Sequence, residues 1–278
     1  MRPNTSRIVL PQLLLLSALA LVGCATTRPL TVAAVSCESR VPQVDFNLSR
    51  IEHWAREAAA AGADLVLFPE CGIQGWWQST ENRTVAEPVD GPSIRRLIGL
   101  ADELDIVMAV GLNEIDGDSV YITHVLLDGD GVIGVHRKSR HPGGEKGDGR
   151  IWDTGDDFSA FDISGHKLGI AICFESVGPE TCAALTANGA EIILAPYCNG
   201  TDPAEILDRN RPQRRWIWER VEENRVWYVA CDATPHDEDG GLRPGAAFVI
   251  DPESRLVACT PVDGPGEGMV IYTIPAEY

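Results

Sequence analysis

Three short apolar runs in this 278-residue sequence each end on a side chain able to do chemistry. Leu65-Val66-Leu67-Phe68-Pro69 leads into Glu70, with Gly75-Trp76 close behind. Val132-Ile133-Gly134-Val135-His136-Arg137 is closed by Lys138. Leu168-Gly169-Ile170-Ala171-Ile172 is closed by Cys173, which Phe174-Glu175-Ser176 follows. The ends of buried strands are where α/β proteins place reactive groups. Taken singly, an acid, a lysine and a cysteine there are a commonplace cap, rim charge and small core residue. Taken together they supply a carboxylate, an ammonium and a thiol. A thiol of ordinary pKa, about 8.5, is a poor nucleophile at neutral pH unless a base or a positive field assists it.

The elements that must position these groups read as repeated β-α-β units with hairpins between. Thr31 to Ser36 and Asp64 to Phe68 are short, buried, strand-like runs. Between them Phe46, Leu48, Ile51, Trp54, Ala55 and Ala58 recur at helical period, with Gly62 as the stop. A second helix is expected over Ile94–Leu104 and a strand over Ile106–Val110. Tyr121–Leu127 and Val132–His136 flank Asp128-Gly129-Asp130-Gly131, a hairpin signal. Phe158–Ile163 and Lys167–Cys173 make another about Ser164-Gly165. Helices over Glu180–Asn188 and Pro212–Asn224 alternate with strands over Ile192–Ala195 and Val226–Cys231. Ala246–Asp251 and Leu256–Cys259 form a last hairpin. Mixed sheets covered by helices follow from this order.

The contexts and order of the three residues resemble the carbon–nitrogen hydrolase (nitrilase) superfamily. GADLVLFPECGIQGW (62–76), YITHVLLDGDGVIGVHRK (121–138) and KLGIAICFESVGPETCAALTANGAEIILAP (167–196) look like its Glu, Lys and Cys segments. RRWIWERVEENRVWYVACD (214–232) resembles its late helix and strand, with Glu223-Asn224 as the usual pair. The resemblance implies a four-layer α-β-β-α sandwich with mixed sheets, assembled as a homodimer or a larger homo-oligomer. It also implies a Glu70–Lys138–Cys173 triad, with Glu70 as the base for Cys173. Lys138 and the N–H of Phe174 would meet the oxyanion, where a donor of that kind is worth ~10²–10³ in turnover. Glu145, followed by Lys146, matches the family's second Glu, with Asp148 as the alternative. Among Trp76, Trp77, Trp152, Phe174 and Tyr197, the last of these, with Cys198, is the expected pocket lining. No histidine is required, and the six histidines show no constellation near a cysteine. Ile122 where the family often has Asn, and Glu175 where many amidases have Asp, are departures. Cys-aromatic-Glu also occurs in true nitrilases.

Composition and the N-terminus supply the setting. Net charge is −18, and once the two arginines of residues 1–23 are set aside, 21 basic side chains face 41 acidic ones. Such a surface repels phosphate backbones, so nucleic acid is excluded as a partner. Arg2 and Arg7 precede an apolar run over Ile8–Val22 that ends in Leu21-Val22-Gly23-Cys24. That pattern is a secretory signal, and it resembles the bacterial lipoprotein box, in which Cys24 is acylated after cleavage. The expected organisation is a cleaved leader (1–23), a short tether (24–30) and one hydrolase domain (31–278). An exported protein held on a membrane through Cys24 follows, on the outer membrane if the cell has two, because Ala25 rather than Asp comes next. Seven cysteines remain, an odd number that leaves at least one thiol without an internal partner. No spacing suggests a metal site, and no cofactor is implied.

The expected activity is hydrolysis of a small amide or N-carbamoyl compound through a Cys thioester. Three other readings stand beside it. A nitrilase would use the same Cys. Acyl transfer to an amine belongs to a branch with a multi-span membrane domain, and no second run of about 20 apolar residues is found here. An inactive lipid-anchored scaffold has no need of all three triad residues.

Overall fold

The computed structural model describes residues 27–142, 151–235 and 240–277. The leader with Cys24, and Glu145 with its neighbours, lie outside them. Strand β1 (Leu30–Ser36) shows how the chain builds its core. Leu30, Val32 and Ala34 join one buried cluster, Ala33 and Val35 another, as alternation along an extended strand requires. Helix α1 (Val44–Ala60) lays Leu48, Ile51, Ala55 and Ala58 on the second cluster. Strand β2 (Leu65–Leu67) pairs parallel with β1. Helix α2 (Pro92–Leu104) adds Ile94 and Leu97 to the same cluster as α1. Strands β3 (Val107–Asp116), β4 (Ser119–Asp128) and β5 (Gly131–Arg137) follow as two hairpins.

The second sheet takes β6 (Phe161–Ile163), β7 (His166–Ile170), β8 (Ile192–Tyr197), β9 (Trp227–Asp232), β10 (Ala247–Ile250) and β11 (Leu256–Cys259). Its outer cover is α3 (Glu180–Ala187) and α5 (Arg215–Asn224), with a short α4 (Pro203–Leu207) between. A final strand, β12 (Gly268–Ile274), returns to pair antiparallel with β1. The sheets run β12-β1-β2-β3-β4-β5 and β11-β10-β9-β8-β7-β6, six strands each and both mixed. Val32, Ala34 and Leu67 share their cluster with Ile170, Leu194 and Val229, so the sheets pack face to face. Cys182 and Leu185 of α3 and Ile217 and Val221 of α5 pack on the second sheet. The result is the expected four-layer α-β-β-α sandwich.

Several boundaries differ from expectation. β3 runs on to Asp116 because residues 111–116 pair with the start of β4. The strand before Cys173 stops at Ile170, since a 3₁₀ turn begins at Cys173 itself. α5 begins at Arg215, and β12 rather than the β10–β11 hairpin closes the fold. Where the sheet edges cross, a side chain on Gly134 of β5 would lie 2.3 Å from the Phe161 ring of β6, so only glycine fits. No helix among the described residues is long and apolar enough to cross a membrane.

Candidate active site

Glu70, Lys138 and Cys173 each stand just past a strand, and all three open into one cavity of about 440 Å³. The expectation that the structure brings them together therefore holds. A larger hollow of about 710 Å³ lies around Arg137, Glu114 and Asp116, and no thiol or lysine lines it. Size does not locate the chemistry here.

Backbone hydrogen bonds fix each of the three. The Glu70 N–H donates to the Tyr197 carbonyl at 3.2 Å, which ties the Glu-bearing turn of the first sheet to the second. That turn lies against β3 at Gly111, where a Cβ would approach the Cys71 nitrogen to 2.6 Å. The Lys138 N–H donates to the Ile122 carbonyl at 2.8 Å, and the Lys138 carbonyl accepts from the Gly155 N–H at 3.0 Å. Cys173 adopts a left-handed φ of 50°, a conformation costing an L-residue about 1–2 kcal/mol. This turns the chain sharply, and Phe174 lies in the first turn of the 3₁₀ segment, where helical geometry gives an N–H no partner.

Charge pairing sets the protonation states. Lys138 Nζ donates to Glu70 Oε1 at 2.5 Å, and both side chains are buried. Burial alone would push the lysine down. The nearby Glu70 carboxylate, through its charge and its hydrogen bond, outweighs it and holds the lysine above its usual range, so it remains an ammonium. The Cys173 thiol is pushed up to about 12, by burial first and by Glu70 second, against a smaller lowering by Lys138. At neutral pH Cys173 is a thiol, not a thiolate. Its S–H points at Asn199 Oδ1, 3.4 Å away.

Asn199 is itself held by a buried carboxylate that the sequence did not single out. Asp232, at the end of β9, accepts the N–H groups of Asn199, Gly200 and Thr201 at 2.7, 3.2 and 2.9 Å. One wall of the cavity is aromatic. Trp152 donates its indole N–H to Asn113 Oδ1 at 2.9 Å, stacks on His141 at 6.0 Å and 15°, and meets Trp76 at 5.5 Å. Asn113 is fully buried, and its oxygen also accepts from Asn82 at 3.0 Å. The ring is thus clamped from three chain segments that no local spacing connects.

Some expected site residues lie elsewhere. Tyr197 does not line the cavity. Its side chain follows strand parity into the core, against the Tyr228 hydroxyl and the edge of Trp216. Burial pushes its phenol well above the usual range. Cys198, the next residue, does face the cavity, as expected. Trp77 and Phe174 are half-buried and form no part of the cavity wall. Glu145 lies outside the described residues. Two histidines stand at the site all the same: His141 is in the cavity wall and His136 Nε2 lies 2.9 Å from Glu175. Cys71 is fully buried with its thiol toward Asn113, not toward the base's partner. Glu223 pairs with Arg220, and Asn224 caps its own helix by donating to the Arg220 carbonyl. All seven cysteines from Cys37 onward are free thiols. Among the described residues no group of three or more His, Cys, Asp or Glu is placed to hold a metal ion.

Comparison with known proteins identifies the family. The carbon-nitrogen hydrolase family model matches residues 31–278, and the chain belongs to that family. It is an amidase-like carbon-nitrogen hydrolase. A (R)-stereoselective amidase of a Pseudomonas species is 27% identical over 226 residues, 81% of this chain and 79% of that one. The N-carbamoylputrescine amidase of Solanum lycopersicum is 31% identical over 249 residues, 83% of this chain and 82% of the relative. The solved amidase of Nesterenkonia sp. AN1 superposes with a TM-score of 0.75 at 22% identity, covering 90% of this chain and 94% of that one. At that identity it shows the fold.

Proposed function

We propose that this protein hydrolyses a small amide or N-carbamoyl compound through a thioester on Cys173, with Glu70 as proton carrier and Lys138 as oxyanion donor. The observation that carries this reading is the 2.5 Å Lys138–Glu70 pair opening into the same cavity as Cys173. With the thiol held near 12, attack and deprotonation must coincide. Glu70 takes the thiol proton as Sγ bonds to the carbonyl carbon. The carbonyl oxygen becomes an oxyanion between the Lys138 ammonium and the Phe174 N–H. Collapse breaks the C–N bond, and Glu70 returns its proton to the departing ammonia or amine. Glu70 next activates a water that cleaves the thioester, releasing the acid and restoring the thiol. Amide and water are consumed; acid and amine are made.

The aromatic wall favours an organic acyl group over a bare carboxylate, and the relatives' amide and N-carbamoyl substrates support this class. A nitrile can form a thioimidate on the same thiol, which keeps nitrilase activity as the second reading. A screen of small amides, N-carbamoyl amino acids and nitriles, read by ammonia release, tests the choice. Turnover of nitriles alone would overturn it. The sequence of residues 1–24 further supports export and lipid anchoring at Cys24, with assembly into homodimers or larger oligomers as the family resemblance implies.

A further inference from the structure

Glu175 has no exposed surface, and its two carboxylate oxygens meet four donors. Oε1 accepts the Ser139 backbone N–H at 2.7 Å and the Ser139 hydroxyl at 2.5 Å. Oε2 accepts the Ile172 N–H at 2.6 Å and faces His136 Nε2 at 2.9 Å. The other ring nitrogen of His136, Nδ1, lies 3.0 Å from the Asp157 carbonyl oxygen. A carbonyl oxygen and a carboxylate oxygen only accept. A neutral imidazole has one N–H and one lone pair, so it would set that lone pair against one of them. Only an imidazolium, with a proton on each nitrogen, satisfies both.

The position of this pair matters more than its strength. Ser139 directly follows Lys138, and Ile172 directly precedes Cys173. His136, near the end of β5, and Lys138, just past it, are two residues apart in chain that still bonds to β4 through the Lys138 N–H and the Ile122 carbonyl. One carboxylate therefore ties the neighbour of the lysine, the neighbour of the thiol and the lysine's own strand together. We propose that the His136–Glu175 ion pair is the positioning element of this active site, a buried imidazolium–carboxylate that fixes the separation of Lys138 and Cys173. The proposal rests on the hydrolase reading of the site.

The groups around the ring are consistent with a charged state. Besides Glu175, His136 faces the Asp157 carbonyl and carboxylate, the Phe158 ring at 6.3 Å, and His124 directly across the β4–β5 pairing. Burial would push His136 down, but Glu175 and Asp157 outweigh it and raise it. Burial likewise opposes the Glu175 charge, and His136 and Ser139 outweigh that, lowering it. His124, held near 3, is neutral and does not repel the ring. Lys138, two residues along from His136, is a neighbouring cation whose ammonium is stabilised in part by the Glu175 charge.

The test combines nitrogen NMR of the histidine rings in the intact protein with kinetics of His136→Gln, which keeps a donor and removes the charge. At neutral pH the signals lost in His136→Gln are expected to be those of an imidazolium with both N–H protons present. In the folded variant kcat on the best amide of the screen falls by on the order of 10²-fold, with KM within about threefold. A purely structural pair would lower the melting temperature and leave kcat intact. A neutral single tautomer, or a folded His136→Gln with wild-type kcat, overturns the proposal. Should that variant not fold, the wild type decides. The pH at which the ring loses its proton must match an alkaline fall in kcat, and a mismatch overturns the proposal. If the wild type turns over no amide, nitrile or carbamoyl compound, the hydrolase reading fails instead. The ring spectrum and the rate of Cys173 alkylation by iodoacetamide in His136→Gln then still decide the positioning role, with an unchanged rate counting against it.

Discussion

Lys138 Nζ and Glu70 Oε1 lie 2.5 Å apart with almost no solvent around either side chain. The pair explains how a buried lysine keeps its charge where an oxyanion must form. On the proposed mechanism the second Glu70 oxygen is the one that receives the thiol proton. Removing one partner of such a pair leaves a buried charge alone, at about 3–5 kcal/mol. Lys138→Met is therefore expected to melt earlier than the wild type, as well as to lose activity.

Glu70→Gln and Lys138→Met are each expected to lower kcat by about 10²–10³, measured below their melting ranges. Because the two act as a unit with Cys173, the double variant should be little worse than either alone. Strictly multiplicative losses would show that the two residues work independently.

Cys173 and Cys71, the residue next to Glu70 in the chain, are expected to behave oppositely. Cys173→Ser should fold and lose almost all turnover, since a serine hydroxyl is a far weaker acid and poorer nucleophile than a thiol. Cys71→Ser should keep kcat within a few-fold while losing about 1–3 kcal/mol of stability, because it places a hydroxyl in a fully buried site. Chemical denaturation and steady-state kinetics on both variants check this.

The three residues that share the cavity each follow an apolar run, a signal local to a few residues, and their order carried the family resemblance. The residues that hold them carry no such signal. Asp232 binds the loop at Asn199 from 33 residues away, and Asn113 clamps Trp152 from 39 residues away. Contacts of that span leave no spacing to read. Tyr197 was misplaced for a different reason. Its position after a buried strand is that of a pocket residue, but β8 continues through it, and parity turns the ring inward. Strand β12 was overlooked although Gly268–Ile274 is apolar, because its partner is β1, at the other end of the chain.

Stability is expected to fall in acid partly through His124. Burial depresses this ring to about 3, whereas the unfolded chain titrates near 6.5. The unfolded state thus takes a proton that the folded state refuses, so stability drops as pH falls from about 6.5 towards 3. His136 works in the opposite sense. Its raised value contributes stability that is complete below about 6.5 and is lost as pH rises through the folded value. His124→Gln should flatten the acid limb of a melting-temperature profile. An unchanged acid slope would show that the carboxylates alone set it.

Asn113→Leu removes the acceptor that holds Trp152. The aromatic wall should loosen, raising KM by about tenfold while kcat changes less, since the triad backbone contacts remain. A fall in kcat with KM unchanged would place Asn113 in the chemistry rather than in substrate holding.

On the proposed lipid anchoring, Cys24→Ala is expected to release the protein from membranes into the soluble fraction, because acyl chains on that residue would supply the attachment. Fractionation followed by immunoblotting reads this directly. A variant that stays on the membrane would refute the anchor.

The most direct test of the mechanism is mass spectrometry of enzyme quenched during turnover of an amide. The account predicts a mass increase equal to the acyl group, located on the peptide that carries Cys173 and absent from Cys173→Ser. Turnover with no adduct at Cys173, or near-normal turnover in folded Cys173→Ser, would contradict it.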